Sequence, residues 1–483
     1  MNTLSDHEVK TIPLELKNRI EHIFQLQKKN IYRIRNTSPK ERIAKLKKIE
    51  AWISDNKDKI REAAYQDFRK PIPEVDITEI FITLSEAKHA IRHLKKWMKP
   101  KRIWRTLPAL TARSNIRYES KGVVLIISPW NFPFMLAMGP FISALAAGNC
   151  IIVKPSELSP HTSQLLSEMV AQLFPEDEAT VFEGDKEVAS ELLKKPFDHI
   201  FFTGSNHVGK IVMKAAAENF TSVTLEMGGK CPLIVDDTCY LQDAVTKIVA
   251  GKYANAGQVC ISPDYIFVPE NKYQIFLDAL KNEIKKTFGE TKEDQRNSKD
   301  FARIIDENHF NRLRDLVENT KNDSGKIETG GESDENEKYI APTVITGLDP
   351  TSPIMQDEIF GPVLSVIPYS SLDGVFEILH TKATPLTVYI FSQSKENIER
   401  IISNTTSGNC SINEIGLQFF HLNFPFGGRN QSGIGNSHGF YGFRTFSHER
   451  PVLKQSRFSP LKLIYPPYTK TTRKIIDFVV KYL

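Results

Sequence analysis

Three side chains stand out for the chemistry they could do: Cys260, Glu226 and Asn131. Cys260 ends the run Asn255-Ala256-Gly257-Gln258-Val259-Cys260, with Pro263 three residues on. A structural cysteine is normally wrapped in aliphatic residues. Here the neighbours are small or amide-bearing, so the thiol is expected to be presented to a ligand. As a nucleophile it needs a lowered pKa, which a helix N-terminus or a nearby cation can supply. Glu226 lies in Thr224-Leu225-Glu226-Met227-Gly228-Gly229-Lys230, after an apolar strand and before two glycines. Its carboxylate is either solvated or in a cleft, where desolvation would raise its pKa and make it a usable base. Asn131 sits between Trp130 and Phe132 and between Pro129 and Pro133. From that stiff turn its amide could donate to an oxygen gaining negative charge, or serve an Asx turn. No histidine is close to Cys260 in sequence, but distant ones leave a cofactor-free cysteine hydrolase open.

Two further stretches have the chemistry of a dinucleotide site. Lys154-Pro155-Ser156-Glu157 follows an apolar run at 151–153. Lys154 and Glu157 could both reach adenosine ribose hydroxyls, and the lysine could also meet a 2′-phosphate. A helix-entry loop capped by Ser156 or Ser159 is the plainer reading. Gly204-Ser205-Asn206-His207-Val208-Gly209 follows a strand and opens a helix, the context a phosphate cradle needs. It is not GxGxxG, and close helix–strand packing explains its glycines equally well.

The elements that must position these residues follow from periodicity. Residues 18–68 repeat apolar positions at three and four and read as helices, with a third at 77–96. Residues 113–121 alternate like an exposed strand. Strand-length apolar runs at 123–127, 151–154, 180–183, 199–203 and 223–225 alternate with helices at 133–147, 160–174, 187–195 and 207–218. That alternation predicts a doubly wound parallel sheet, which binds ligands at the carboxyl ends of its strands. A second α/β series uses strands at 232–235, 265–268, 364–368 and 387–391, with helices at 241–253, 272–286 and 396–404. The polar stretch 322–339 reads as a surface loop holding a short strand.

The 483 residues carry 63 basic and 58 acidic side chains, a net charge of +5. That near balance argues against a nucleic-acid partner. The basic stretch at 95–106 reads as a solvated helix end. Five cysteines, Cys150, Cys231, Cys239, Cys260 and Cys410, show no CxxC or other metal-ligand spacing. Free thiols in a reducing, cytoplasmic setting and no metal site are therefore expected. Residues 1–20 are too polar for a secretory signal, and no apolar run reaches the ~20 residues that span a bilayer. The tail at 474–483 is apolar but short, and is expected to pack on protein rather than on a membrane.

Taken in order, "SPWNFP", "KPSE", "FTGSNHVGK", "LEMGGK", "NAGQVC", "EIFGPV" (358–363) and "PFGG…SGIG" (425–435) resemble the aldehyde dehydrogenase superfamily. Features such as "KPSELSP", "SHGFYGFRTFSHER" (437–450) and "YPPY" (465–468) are similar to its class-three branch, which handles aromatic and medium- to long-chain aliphatic aldehydes. The resemblance implies Cys260 as catalytic thiol, Glu226 as general base and Asn131 as oxyanion donor. It implies cofactor contacts from Trp130, Lys154, Glu157, Gly204, Ser205, Asn206, His207, Val208, Gly209, Met227, Gly228, Glu358 and Phe360. NAD is the expected cofactor, with NADP tolerated, and a homodimer the expected assembly. A dinucleotide domain is expected at 1–112 and 122–227, a catalytic domain at 228–422, and bridging segments at 113–121 and 423–483. Glu226 favours hydrolysis over acyl transfer to coenzyme A. A cysteine esterase without cofactor, or a scaffold that kept the fold, are the alternatives.

Overall fold

Among the described residues, eighteen strands run in chain order. They are β1 (Lys101–Ile103), β2 (Ala112–Ser120), β3 (Val123–Ile127), β4 (Cys150–Lys154), β5 (Ala179–Val181), β6 (His199–Gly204), β7 (Ser222–Met227), β8 (Cys231–Val235) and β9 (Pro263–Pro269). There follow β10 (Lys326–Thr329), β11 (Ser333–Asp334), β12 (Tyr339–Ile340), β13 (Thr343–Thr346), β14 (Val363–Tyr369), β15 (Thr387–Phe391), β16 (Asn409–Ile412), β17 (Gly433–Ile434) and β18 (Ser447–Gln455). This computed structural model describes residues 12–106, 109–320, 325–349 and 351–482. Residues 1–11 of the expected dinucleotide domain, 322–324 of the polar loop and Leu483 of the tail lie outside them.

The strands form two large sheets. One has the order β17-β7-β6-β3-β4-β5, with β7 to β5 parallel and β17 antiparallel at the edge. The other has the order β10-β13-β14-β9-β8-β15-β16, parallel except for β10. Helices follow most of the parallel strands. Their apolar faces bury separate cores on the two sides of the first sheet and another around the second. This is the expected doubly wound α/β architecture. Three residues, Gly228-Gly229-Lys230, join β7 to β8 and so join the sheets. A smaller cluster holds Phe132, Met135, Cys231, Ile261, Leu386, Phe419 and Phe426, with Cys260 against it. A separate three-stranded antiparallel sheet has the order β1-β2-β18.

Four details differ from the periodicity. The helical run at 41–68 breaks at Asn56, giving Pro39–Asp55 and Lys57–Phe68, because Asn56 leaves helical geometry and its amide donates to Trp52 O at 2.8 Å. The helix expected from 77 opens as a π-helical turn, Asp76–Phe81, before Ile82–Trp97. The basic stretch at 95–106 leaves the helix at Trp97 and becomes edge strand β1. The tail forms a helix, Lys470–Tyr482, that packs on the turn Pro460–Ile464 and leaves part of its apolar side open: Phe478 is 60% and Val480 80% exposed. Among the described residues, no helix is long and apolar enough to cross a membrane. Within the expected bridging segment 423–483, β18 does pair with β2, but β17 joins the first sheet beside Glu226.

Candidate active site

The loop before Cys260 is set by its backbone. After the helix Leu241–Tyr253, three successive residues adopt left-handed geometry: Asn255 (φ 53°), Ala256 (φ 52°) and Gly257 (φ 72°). For non-glycine residues this costs about 1–2 kcal/mol each and persists only where surrounding bonds over-determine it. Those bonds are present. Asn255 N–H donates to Glu74 Oε2 at 2.9 Å, and Asn255 Nδ2 donates to Asn131 O at 2.9 Å and Gln258 O at 3.2 Å. Gln258 Nε2 donates to Asn255 O and Arg303 O, while its Oε1 accepts from Ile305 N–H. A Cβ on Gly257 would lie 2.2 Å from Gly361 O. The small residues thus have a reason beyond ligand access: the loop must turn left-handed and pack directly on another backbone.

A cavity of about 620 Å³ opens at the thiol. Its walls include Trp130, Asn131, Gly204, Ser205, His207, Glu226, Met227, Gly228, Cys260, Glu358 and Phe360. Asn131 is buried, and its amide donates to Gln258 O at 3.0 Å. It therefore bonds across the chain rather than within its own turn, and one amide N–H remains. Glu226, near the carboxyl end of β7, is buried, and neither carboxylate oxygen makes a hydrogen bond of ordinary geometry. Burial pushes its pKa up to about 8, with the approaching Ser437 hydroxyl opposing this only weakly. The Cys260 thiol departs from expectation. Burial, then the Glu358 and Glu226 carboxylates, push it up to about 12, and the main-chain N–H groups of Cys260 and Ile261 offset little of this. Neither a helix N-terminus nor a cation governs it; burial does, and two acids add to it.

Burial likewise drives the Glu358 carboxyl well above its ordinary range, with the Asp264 carboxylate adding to it. Its Oε1 has no hydrogen-bond partner, and a Cβ on Gly228 would lie 2.1 Å from its Oε2. Trp130 packs edge-on against Phe360 (5.3 Å) and His309 (5.0 Å). A buried acceptor without a partner, a neighbour with no side chain and flat aromatic walls fit a hydroxyl-bearing ring system such as the nicotinamide riboside half of a dinucleotide. Ser205 caps the helix Asn206–Ala217, and a Cβ on Gly209 would lie 2.3 Å from Met227 Sδ, so this glycine serves helix–strand packing.

Lys154, Glu157, Asn206, Val208 and Gly209 are not among the cavity walls. Lys154 is buried at the end of β4, donating to Pro155 O at 2.7 Å and Glu157 Oε2 at 3.0 Å, and the Glu157 side chain is 44% exposed. Sequence reasoning assigned no role to Met135, Leu136, Leu386, Phe419, Phe426 and Phe446, which are apolar walls of the cavity, or to Glu86, Arg312 and His438, which also line it. Of these positions, the motifs "PFGG" and "SHGFYGFRTFSHER" held only Phe426, His438 and Phe446. Two histidines of the walls are engaged with carboxylates, His309 with Asp306 and His438 with Glu86. Among the described residues, no imidazole hydrogen-bonds to Cys260.

The model of the aldehyde dehydrogenase family matches residues 1–452. Mouse aldehyde dehydrogenase family 3 member B1 is 38% identical over 446 residues, 92% of this chain and 93% of its own. The 4,4'-diaponeurosporen-aldehyde dehydrogenase of Staphylococcus aureus (strain NCTC 8325 / PS 47) is 40% identical over 423 residues, 88% of this chain and 91% of its own. Among solved structures, the substrate-bound state of Staphylococcus aureus AldH superposes with a TM-score of 0.91 at 38% identity, covering 95% of this chain and 99% of that one. A Mycobacterium tuberculosis aldehyde dehydrogenase complexed with NAD+ superposes with a TM-score of 0.84 at 25% identity, covering 92% of each chain.

The tight turn generates a prediction. Gly257→Ala drives a methyl group into Gly361 O and displaces the thiol. Turnover is expected to fall at least about tenfold while dinucleotide binding persists. Steady-state kinetics beside cofactor titration checks this; unchanged turnover would mean the loop can relax without moving Cys260.

Proposed function

The chain belongs to the aldehyde dehydrogenase family, and on that premise we propose that Cys260, Glu226 and Asn131 carry out its NAD(P)-dependent oxidation of aldehydes to carboxylic acids, with apolar aldehydes as substrates. The observation that carries this reading is that thiol, amide and carboxyl line one cavity whose walls also include Met135, Leu136, Phe419, Phe426 and Phe446. Such walls favour an aliphatic or aromatic chain by burial of apolar surface. NAD as the preferred cofactor is supported by the NAD+ held in the Mycobacterium tuberculosis relative, while the unpartnered Glu358 Oε1 beside Gly228 supports a nicotinamide ribose common to NAD and NADP.

The thiol must first lose its proton. Two nearby carboxylates oppose the thiolate. When Glu226 takes that proton it becomes neutral, so the transfer itself removes one of the opposing charges. The sulfur then attacks the aldehyde carbon. The free N–H of Asn131 and the main-chain N–H of Cys260 receive the developing oxyanion, each such donor being worth roughly 3–4 kcal/mol. NAD, which Glu358, Phe360 and Gly228 would hold, would supply the acceptor for the hydride lost as the Cys260 hemithioacetal becomes a thioester. Glu226, once more ionised, takes a proton from water as its oxygen attacks the thioester, which releases the carboxylic acid and restores the thiol.

The same proposal includes assembly and setting. Strands β1 and β18 leave solvent-facing edges on the three-stranded sheet, which supports a homodimer joined there. All five cysteines are free thiols, which supports a reducing cytoplasm. The domain division follows the sheets, with residues 228–230 as the joint.

Cys260→Ala is expected to abolish reduced-cofactor formation across an aldehyde panel while leaving dinucleotide binding intact; turnover near the wild-type level would remove the thiol from the mechanism. Glu226 must be ionised to act on water, and its pKa is raised to about 8. Where deacylation limits, kcat should therefore rise with pH through about 8. Glu226→Gln should flatten that limb and lower kcat by roughly 10²–10⁴-fold, with any burst of reduced cofactor slowed as well because the thiol loses its proton acceptor. A pH profile for both proteins decides it, and an unchanged limb assigns the titration to another group. For cofactor choice, Glu157 neutralises Lys154 at 3.0 Å. Glu157→Gln should raise the use of NADP relative to NAD, and Lys154→Ala should weaken both, NADP more. An unchanged ratio in Glu157→Gln means that carboxylate does not read the ribose.

A further inference from the structure

The segment from Lys70 to Glu79 lies outside the cavity walls, yet it touches the oxyanion loop at several points. It runs from the end of the helix Lys57–Phe68 through the short helix Ile72–Val75 into the π-helical turn Asp76–Phe81. Lys70 is 0% and Glu79 1% exposed, and Lys70 Nζ lies 2.9 Å from Glu79 Oε1. Each partner also holds the chain that carries Asn131. Lys70 Nζ donates to Asn131 O at 3.4 Å and stands 3.9 Å from the centre of the Phe132 ring. Glu79 Oε2 accepts from Met135 N–H at 2.9 Å, in the first turn of the helix Pro133–Ala147. Between them, Glu74 holds Asn255 N–H, and the Asn255 amide meets the same Asn131 carbonyl.

Stability alone gives no reason for this pair. Burying an ammonium and a carboxylate together costs desolvation that an apolar pair of the same volume avoids. What a buried pair supplies is a fixed geometry, with directional bonds at both ends. The π turn widens the helix locally, a feature frequent at functional sites, and carries Glu79 between Lys70 and Met135. The loop is gripped at the carbonyl of Asn131 and again four residues later, so the direction of the Asn131 amide is set from behind.

We infer that the buried Lys70–Glu79 ion pair is a positioning element for the Asn131 amide, fixing its direction at the carbon that Cys260 attacks. The inference rests on Asn131 holding the oxyanion. Neither residue lines the cavity, so neither touches substrate.

The test is the paired variant Lys70→Met with Glu79→Gln, which removes both charges and leaves no lone buried ion. It is expected to fold and to bind NAD with unchanged KM, while the burst of reduced cofactor slows by about 10–100-fold. Placed on Asn131→Ala, which keeps the main-chain carbonyl that Lys70 holds, the paired change should add no further loss. A wild-type burst rate in the paired variant overturns the inference. So does an equal loss with and without the Asn131 amide, since the pair would then act elsewhere. Glu79→Gln alone keeps an acceptor for Lys70 and Met135; should the paired variant not fold, this milder change must show a smaller loss with the same dependence on Asn131, and otherwise the inference falls. If Asn131→Ala by itself turns over like the wild type, the oxyanion reading fails first and takes the inference with it, an outcome recognised before any Lys70 variant is measured.

Discussion

The carbonyl of Gln258 is the point on which the site depends. It accepts from the side chains of both Asn131 and Asn255, so one oxygen ties the loop after β3 to the loop before Cys260. The tie matters because the two loops belong to different sheets. Asn131 and Glu226 are carried by the first sheet, and Cys260 leads into β9 of the second. No local preference holds three consecutive left-handed residues at 255–257. Bonds from Glu74, Asn131 and Arg303 do so, and each comes from a distant part of the chain.

Burial then sets the electrostatics. Glu226, Cys260 and Glu358 share a poorly solvated space, and each is pushed toward its neutral form chiefly by loss of water. A site with two carboxyls near one thiol holds fewer negative charges than its residue types imply. Proton transfer between Cys260 and Glu226 moves one negative charge between sites without creating a second. Burial therefore makes the acid usable as a base near neutral pH and keeps the thiol quiet until a ligand alters its surroundings.

Much of the fold was legible because its signals are local. Val123–Ile127 and Thr387–Phe391 are uninterrupted apolar runs, and both are strands with those bounds. Pro133 opens its helix and Gly148, at φ 82°, closes it, as the residue types imply. The identities at Cys260, Glu226 and Asn131 were legible from neighbours and motif order, and the cavity brings them together. Their electrostatics were not: a thiol among small residues looks activated in sequence, while burial and two acids fixed by tertiary contacts raise its pKa. The π turn was hidden because Asp76–Phe81 keeps helical periodicity. The tail's partner was not legible because amphipathicity says that a face needs cover without saying what covers it.

The joint between the sheets shows why so short a connection suffices. Gly228 admits the Glu358 carboxylate to where a side chain would stand, and a Cβ on Gly229 would lie 3.1 Å from Pro385 Cα. Lys230, buried, donates to Asp357 O at 2.8 Å. Three successive residues are thus each pressed against the second domain, two by lacking a side chain and one by spending its charge on a carbonyl. Glycines in a linker usually mean freedom, but here both are closely enclosed, so the joint is stiff. That stiffness is what the Gln258 tie requires: a hydrogen bond of 3.0 Å between loops of different sheets survives only where the sheets keep their relative position. The glycine pair and the amide–carbonyl tie are two ends of one constraint, holding the Cys260 thiol from one sheet in the same cavity as the Glu226 carboxyl and the Asn131 amide from the other.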